Sequence, residues 1–150
     1  MTISPATLDD LDEVARLLAA QFKEHAIALP GRALRAAVRG ALEDPSRGEF
    51  LVARDVRPVG VAYLAYTWTL EHGGRSAWLE ELYVVPVMRS RGVGTSLLRE
   101  AMARAKAAGA AAVDLEVDDE HARGTLVRAR GLPCASPRAL VRKALMPTGL

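Results

Sequence analysis

Two groups of residues in the middle of the chain are of the types that do chemistry. Glu80 and Glu81 stand side by side in an otherwise apolar run, Ala77 to Val85. A carboxylate drawn out of water has its pKa raised toward neutrality, where it can act as a general acid or base. Neighbours on a strand face opposite sides, so at most one of the pair points into a given cleft. Shortly after comes Arg89-Ser90-Arg91-Gly92-Val93-Gly94-Thr95. Glycines remove the Cβ atoms that hold a ligand off the backbone, and two arginines add positive charge. Such a loop suits phosphate, above all a pyrophosphate.

The elements on either side must position both groups. Ala77 to Val85 carries Trp, Leu, Tyr and two Val, types that fit a pleated surface, and Pro86 ends the ladder because it has no N–H. From Val93 the apolar spacing changes to helical, with Val93, Leu97, Ala101 and Ala105 recurring every four residues up to Gly109. The anion loop therefore sits at a helix N-terminus, where unpaired N–H groups and a partial positive charge converge. A further strand, Ala112 to Val117, completes a strand–helix–strand unit, which implies parallel pairing by a right-handed crossover.

The rest of the chain supplies the frame. Thr2 to Pro5 reads as a short strand. Thr7 caps a helix running to about Lys23 on Leu11, Val14, Leu18 and Phe22. A second helix spans roughly Arg32 to Glu43. Phe50 to Arg54 and Val59 to Thr69 read as strands that form an antiparallel meander with the strand at Ala77. Asp118 and Asp119 are candidate caps for a last helix over 120–130. A hairpin, 132–135 and 138–145, closes the chain.

The loop lacks the third glycine of a dinucleotide fingerprint, where Leu97 stands, and the Gly-Lys-Ser/Thr of a P-loop. Strand, Pro86, Arg89-x-x-Gly92-x-Gly94, helix instead resembles the acetyl-CoA-binding core of the GNAT N-acetyltransferases, and the order of elements resembles that fold from end to end. The resemblance implies one α/β domain, residues 1–150, with a mixed, mostly antiparallel sheet of six or seven strands, helices on both faces and a central parallel pair that splays apart. It implies acetyl transfer from acetyl-CoA to a primary amine by direct attack in a ternary complex. A small-molecule amine is expected, with a protein amine as the alternative. It places the phosphates on Arg89, Ser90, Arg91, Gly92, Val93, Gly94 and Thr95, and the pantetheine arm on the backbone of Leu82, Tyr83 and Val84. Resemblance to the diamine-type enzymes favours Glu80 as the base, with Glu81 open.

Two positions depart from the family pattern. His121 stands where a cofactor-contacting Asn is usual. Val127 stands where the Tyr that protonates the leaving thiolate is usual, and Val has no proton to give. Tyr83, Tyr66 or His121 can replace that acid, or the N-terminus of the last helix or solvent can stabilise the thiolate. The other reading is a degenerate domain that binds acetyl-CoA as a sensor or structural ligand. For the acceptor, Trp68, Glu71 and His72 gather near a turn and suit an amine by cation–π and charge pairing. They are equally a packed Trp with two solvated neighbours.

Composition excludes other classes. The net charge is +2, and the 20 basic residues form no stripe, so nucleic acid is not an expected partner. No apolar run approaches the ~20 residues of a membrane helix. The single cysteine, Cys134, cannot form an internal disulfide, which fits a reducing cytoplasm. His25, His72 and His121 are too far apart for a local metal motif, and no metal is expected. Edge strands at the closing hairpin leave a homodimer open.

Overall fold

A computed structural model describes residues 1–117 and 141–143. The last helix expected over 120–130, the first strand of the closing hairpin, and His121, Val127 and Cys134 lie outside the described residues. The observed elements are β1 (Thr2–Pro5), α1 (Leu11–Glu24), α2 (Gly31–Glu43), β2 (Gly48–Arg54), β3 (Pro58–Thr69), β4 (Gly74–Val84), α3 (Val93–Ala107), β5 (Val113–Val117) and β6 (Val141–Lys143). Short 3₁₀ turns precede α1 at Leu8–Asp10 and follow β4 at Pro86–Met88. At the first of these, the Thr7 N–H donates to the Asp10 carboxylate at 2.8 Å, fixing the entry to α1.

The six strands lie in sequence order in one sheet. β1 to β4 pair antiparallel, and β4–β5 and β5–β6 pair parallel. The pleat sends alternate residues to opposite faces, and each face has its own apolar cluster. Leu51, Ala53, Ala62, Leu64, Ala77 and Leu79 pack against Val93, Leu97, Leu98, Ala101 and Ala105 of α3. Phe50, Val52, Val61 and Tyr83 pack against Leu11, Val14, Leu17 and Leu18 of α1 and Leu34 and Val38 of α2. Helices thus cover both faces, and among the described residues none is long and apolar enough to cross a membrane.

Two irregularities in β4 shape everything downstream. First, its register against β3 shifts between Tyr63 and Leu64, which pair with Glu81 and Leu79 respectively. Glu80 is therefore an extra residue, a β-bulge, and side-chain parity inverts across it. Ala77 and Leu79 face α3 before the bulge; Leu82 and Val84 face it afterwards, which leaves Tyr83 on the α1 side. Second, β5 accompanies β4 only through Ala77↔Val113, Trp78↔Asp114 and Leu79↔Leu115. At Glu80 the parallel strands part, and among the described residues the rest of β4 keeps β3 on one side and an open edge on the other.

Candidate active site

The open edge of β4 leads directly to the N-terminus of α3. Between them the chain makes two left-handed residues, Ser90 at φ +60° and Gly92 at φ +83°. Among the described residues, a Cβ built on Gly92 meets no atom within 4 Å, so the space in front of it is open. Gly92 caps the helix, and the first bond shown there runs from the Ser96 N–H to the Gly92 carbonyl at 3.0 Å. The N–H groups of Val93, Gly94 and Thr95 therefore have no acceptor within the helix. Val93 is buried in the α3 cluster and anchors the cradle, while Ser90, Arg91 and Gly92 are exposed. Open space, three free donors and a helix dipole together fit an anionic group such as a pyrophosphate.

The Arg89 side chain folds back onto the protein. Its Nε donates to the Val84 carbonyl at 2.9 Å, and its Nη2 donates to both oxygens of Glu24, at 2.9 and 2.7 Å. The guanidinium lies 5.6 Å from the centroid of the Tyr83 ring, and the Tyr83 hydroxyl donates to Glu24 at 3.3 Å. Hydrogen bonding from Arg89 holds the Glu24 carboxyl below its ordinary range. Burial, then the Glu24 charge, pushes the Tyr83 phenol up.

The adjacent glutamates have different surroundings. Glu80, the bulged residue, is exposed. Glu81 is half-buried, and burial first, then the charge of Glu80, pushes its pKa up to about 7. The side-chain amide of Gln21, itself buried on α1, lies beside the Glu81 carboxyl and pulls weakly the other way. A carboxyl poised there is half ionised at neutral pH, the condition a general base needs. The last turns of α1 thus face β4 twice, with Gln21 over Glu81 and Glu24 over Tyr83 and Arg89. Sequence reading missed both α1 residues. The signal was available, since Gln21 continues the stripe of Val14, Leu17 and Leu18 at helical spacing, a polar residue on a buried face.

The acceptor candidates do not converge. Trp68 shares the sheet face of Leu64 and Tyr66 by alternation, and the residue is 77% exposed. The His72 side chain is only 7% exposed and meets the Asp114 carboxylate at 2.9 Å. Asp114 lies between Val113 and Leu115, which face α3, so it and His72 belong to the opposite face. Glu71 is exposed in the turn between them. A cavity of about 330 Å³ lies elsewhere, where Tyr66, Arg75, Arg104 and Ala108 meet Pro45 and Phe50. Arg104 and Ala108 place it at the far end of α3 from Gly92, and Arg104 and Tyr66 both bond Glu49 there.

The parting of β4 and β5 thus lies beside a helix N-terminus suited to an anion and a carboxyl raised to about 7, and comparison with known proteins gives the family. The sequence profile described as Acetyltransferase (GNAT) family matches residues 11–131. The aminoalkylphosphonate N-acetyltransferase of Salmonella typhimurium is 31% identical over 113 residues, which are 75% of this chain and 71% of that protein. An integron cassette protein from the Cole Harbour salt marsh metagenome superposes with a TM-score of 0.75 at 26% identity, covering 97% of this chain and 91% of that one. A predicted acetyltransferase of Clostridium acetobutylicum, solved with acetyl-CoA, shares the fold with a TM-score of 0.73 at 16% identity, covering 88% and 89%. The chain belongs to the GNAT acetyltransferase family. It is an N-acetyltransferase.

Proposed function

We propose that the protein transfers the acetyl group of acetyl-CoA to the primary amine of a small molecule, by direct attack in a ternary complex, with Glu81 as general base. The observation that carries this reading is the coincidence of three features at one point: the β4 bulge, the parting of β5, and a carboxyl at about 7. The N–H groups of Val93, Gly94 and Thr95 would hold the pyrophosphate, with Arg89 and Arg91 adding charge. The open edge of β4 at Leu82, Tyr83 and Val84 would hold the pantetheine amides as a neighbouring strand would.

The neutral amine attacks the acyl carbonyl of acetyl-CoA; the C–N bond forms, the C–S bond breaks, and CoA leaves as a thiolate that takes a proton from solvent. Glu81 accepts the proton that an alkylammonium must lose to become a nucleophile, directly or through one water. Gln21 orients the carboxyl, and Glu80 raises its basicity by repulsion. Both glutamates were candidates from sequence. The half-buried position of Glu81 and its raised pKa favour it over the exposed Glu80. The Salmonella relative, whose named substrate is an aminoalkylphosphonate, supports a small amine as acceptor.

The test is thiol release from acetyl-CoA with a panel of small amines between pH 5.5 and 9. Acceptor-dependent release, with a limb near pH 7 that disappears in Glu81→Gln, is the expected result. Release that is independent of Glu81 would move the base elsewhere. Binding without release on any amine would return the sensor reading.

A further inference from the structure

The Arg89 side chain lies folded across the part of β4 that should receive the acyl donor. The Val85 N–H bonds the Val59 carbonyl at 2.9 Å, toward β3. Along a strand successive residues turn their N–H and C=O groups to opposite sides, so the Val84 carbonyl points to the edge that β5 has left. Arg89 Nε occupies that carbonyl, and both Glu24 oxygens accept from Arg89 Nη2. Two groups on which a pantetheine pyrophosphate would draw, the edge carbonyl and the guanidinium, are thereby tied together, with Glu24 as the anchor.

We propose that Glu24 is a specificity-determining residue of the donor site: it latches Arg89 over the open edge of β4, so that only an acyl carrier bearing a pyrophosphate releases it. This rests on the cradle at Ser90–Thr95 being the pyrophosphate site. The energetics fit an exchangeable contact. The side chains of Arg89 and Glu24 are 46% and 36% exposed, and ion pairs so exposed are weak. A pyrophosphate offers more charge and more acceptor oxygens than one carboxylate, and competes for the guanidinium by charge-assisted bonds. A neutral pantetheine amide offers neither, and alone it must compete for the Val84 carbonyl against a charged donor. Glu24 is fully ionised at neutral pH, since the bonds from Arg89 hold its pKa down.

The latch predicts opposite responses to one substitution. Calorimetric and NMR titrations compare acetyl-CoA with S-acetylpantetheine, which has the same acyl arm without the nucleotide or pyrophosphate. In Arg89→Ala, acetyl-CoA should bind about 10- to 100-fold more weakly, the loss of charge-assisted hydrogen bonds. In the same variant S-acetylpantetheine should bind about two- to fivefold more tightly, because the edge carbonyl is released. Glu24→Gln and Glu24→Ala, checked by thermal melting to be folded, should each tighten both ligands about two- to fivefold. If Arg89→Ala weakens acetyl-CoA but the Glu24 variants leave it unchanged or weaker, Glu24 only braces the loop and the latch is overturned. If Arg89→Ala leaves acetyl-CoA affinity unchanged, the fault lies with the phosphate cradle itself.

Discussion

The two halves of β4 are made from the same strand and do opposite things. From Gly74 to Leu79 it pairs with β3 and its last residues also pair with β5, so Ala77 and Leu79 are buried in the α3 cluster. From Glu80 to Val84 it keeps, among the described residues, only β3, and its freed edge faces the proposed donor site. One inserted residue separates these regimes, because the bulge ends the parallel pairing and inverts parity. The first half is committed to stability. The second gives up a row of ladder bonds and buries a carboxyl, both of which cost stability, to form a binding edge with a base beside it.

The difference can be broken most sharply at Glu81. Glu81→Gln should lower kcat/KM by about 10²- to 10⁴-fold, the usual contribution of a general base, with little change in acetyl-CoA affinity. The base works as the carboxylate, so in the unsubstituted enzyme kcat/KM rises with pH through a limb near 7, and the variant should lose that limb. The sign for stability is the reverse. A carboxyl whose folded pKa is raised from 4.5 to about 7 favours the folded state at low pH, and that advantage is lost as pH rises across this window. Denaturation of Glu81→Gln followed from pH 4 to 8 should show a flatter profile than the unsubstituted protein.

Matched truncations sharpen the structural side. Leu79→Ala, in the doubly paired half, should cost about 2–5 kcal/mol in denaturant unfolding. Leu82→Ala, half-buried in the open half, should cost clearly less. Gly92→Val meets no steric obstacle in the structure, but it strains a left-handed residue and fills the space in front of the cradle. About tenfold weaker acetyl-CoA binding is expected, a loss of the order of one or two charge-assisted hydrogen bonds. Glu80→Gln should have the smallest effect. Removing the neighbouring charge lets the Glu81 pKa fall, so the pH limb moves down by less than about one unit while the maximal rate holds.

The helix and crossover were legible in the sequence because they depend on local signals. Val93, Leu97, Ala101 and Ala105 announce α3, Gly109 follows it at φ +79°, and the strand after it pairs parallel with β4 as a crossover requires. The bulge was not legible, since alternation along Ala77–Val85 gives no sign of an extra residue beyond the two adjacent glutamates. That is why strand geometry alone could not choose between Glu80 and Glu81. Gln21 and Glu24 were missed because their roles exist only once α1 lies across β4. Trp68 and His72 are close in sequence, yet the pleat and the turn carry them to opposite faces.

The most direct test of the central claim, that the open half of β4 and the cradle after it form the acetyl-CoA site, is calorimetric titration of acetyl-CoA into the protein and into Gly92→Val side by side. Saturable one-to-one binding that weakens about tenfold in the variant is predicted. Absence of binding, or equal affinity in the two proteins, would contradict it.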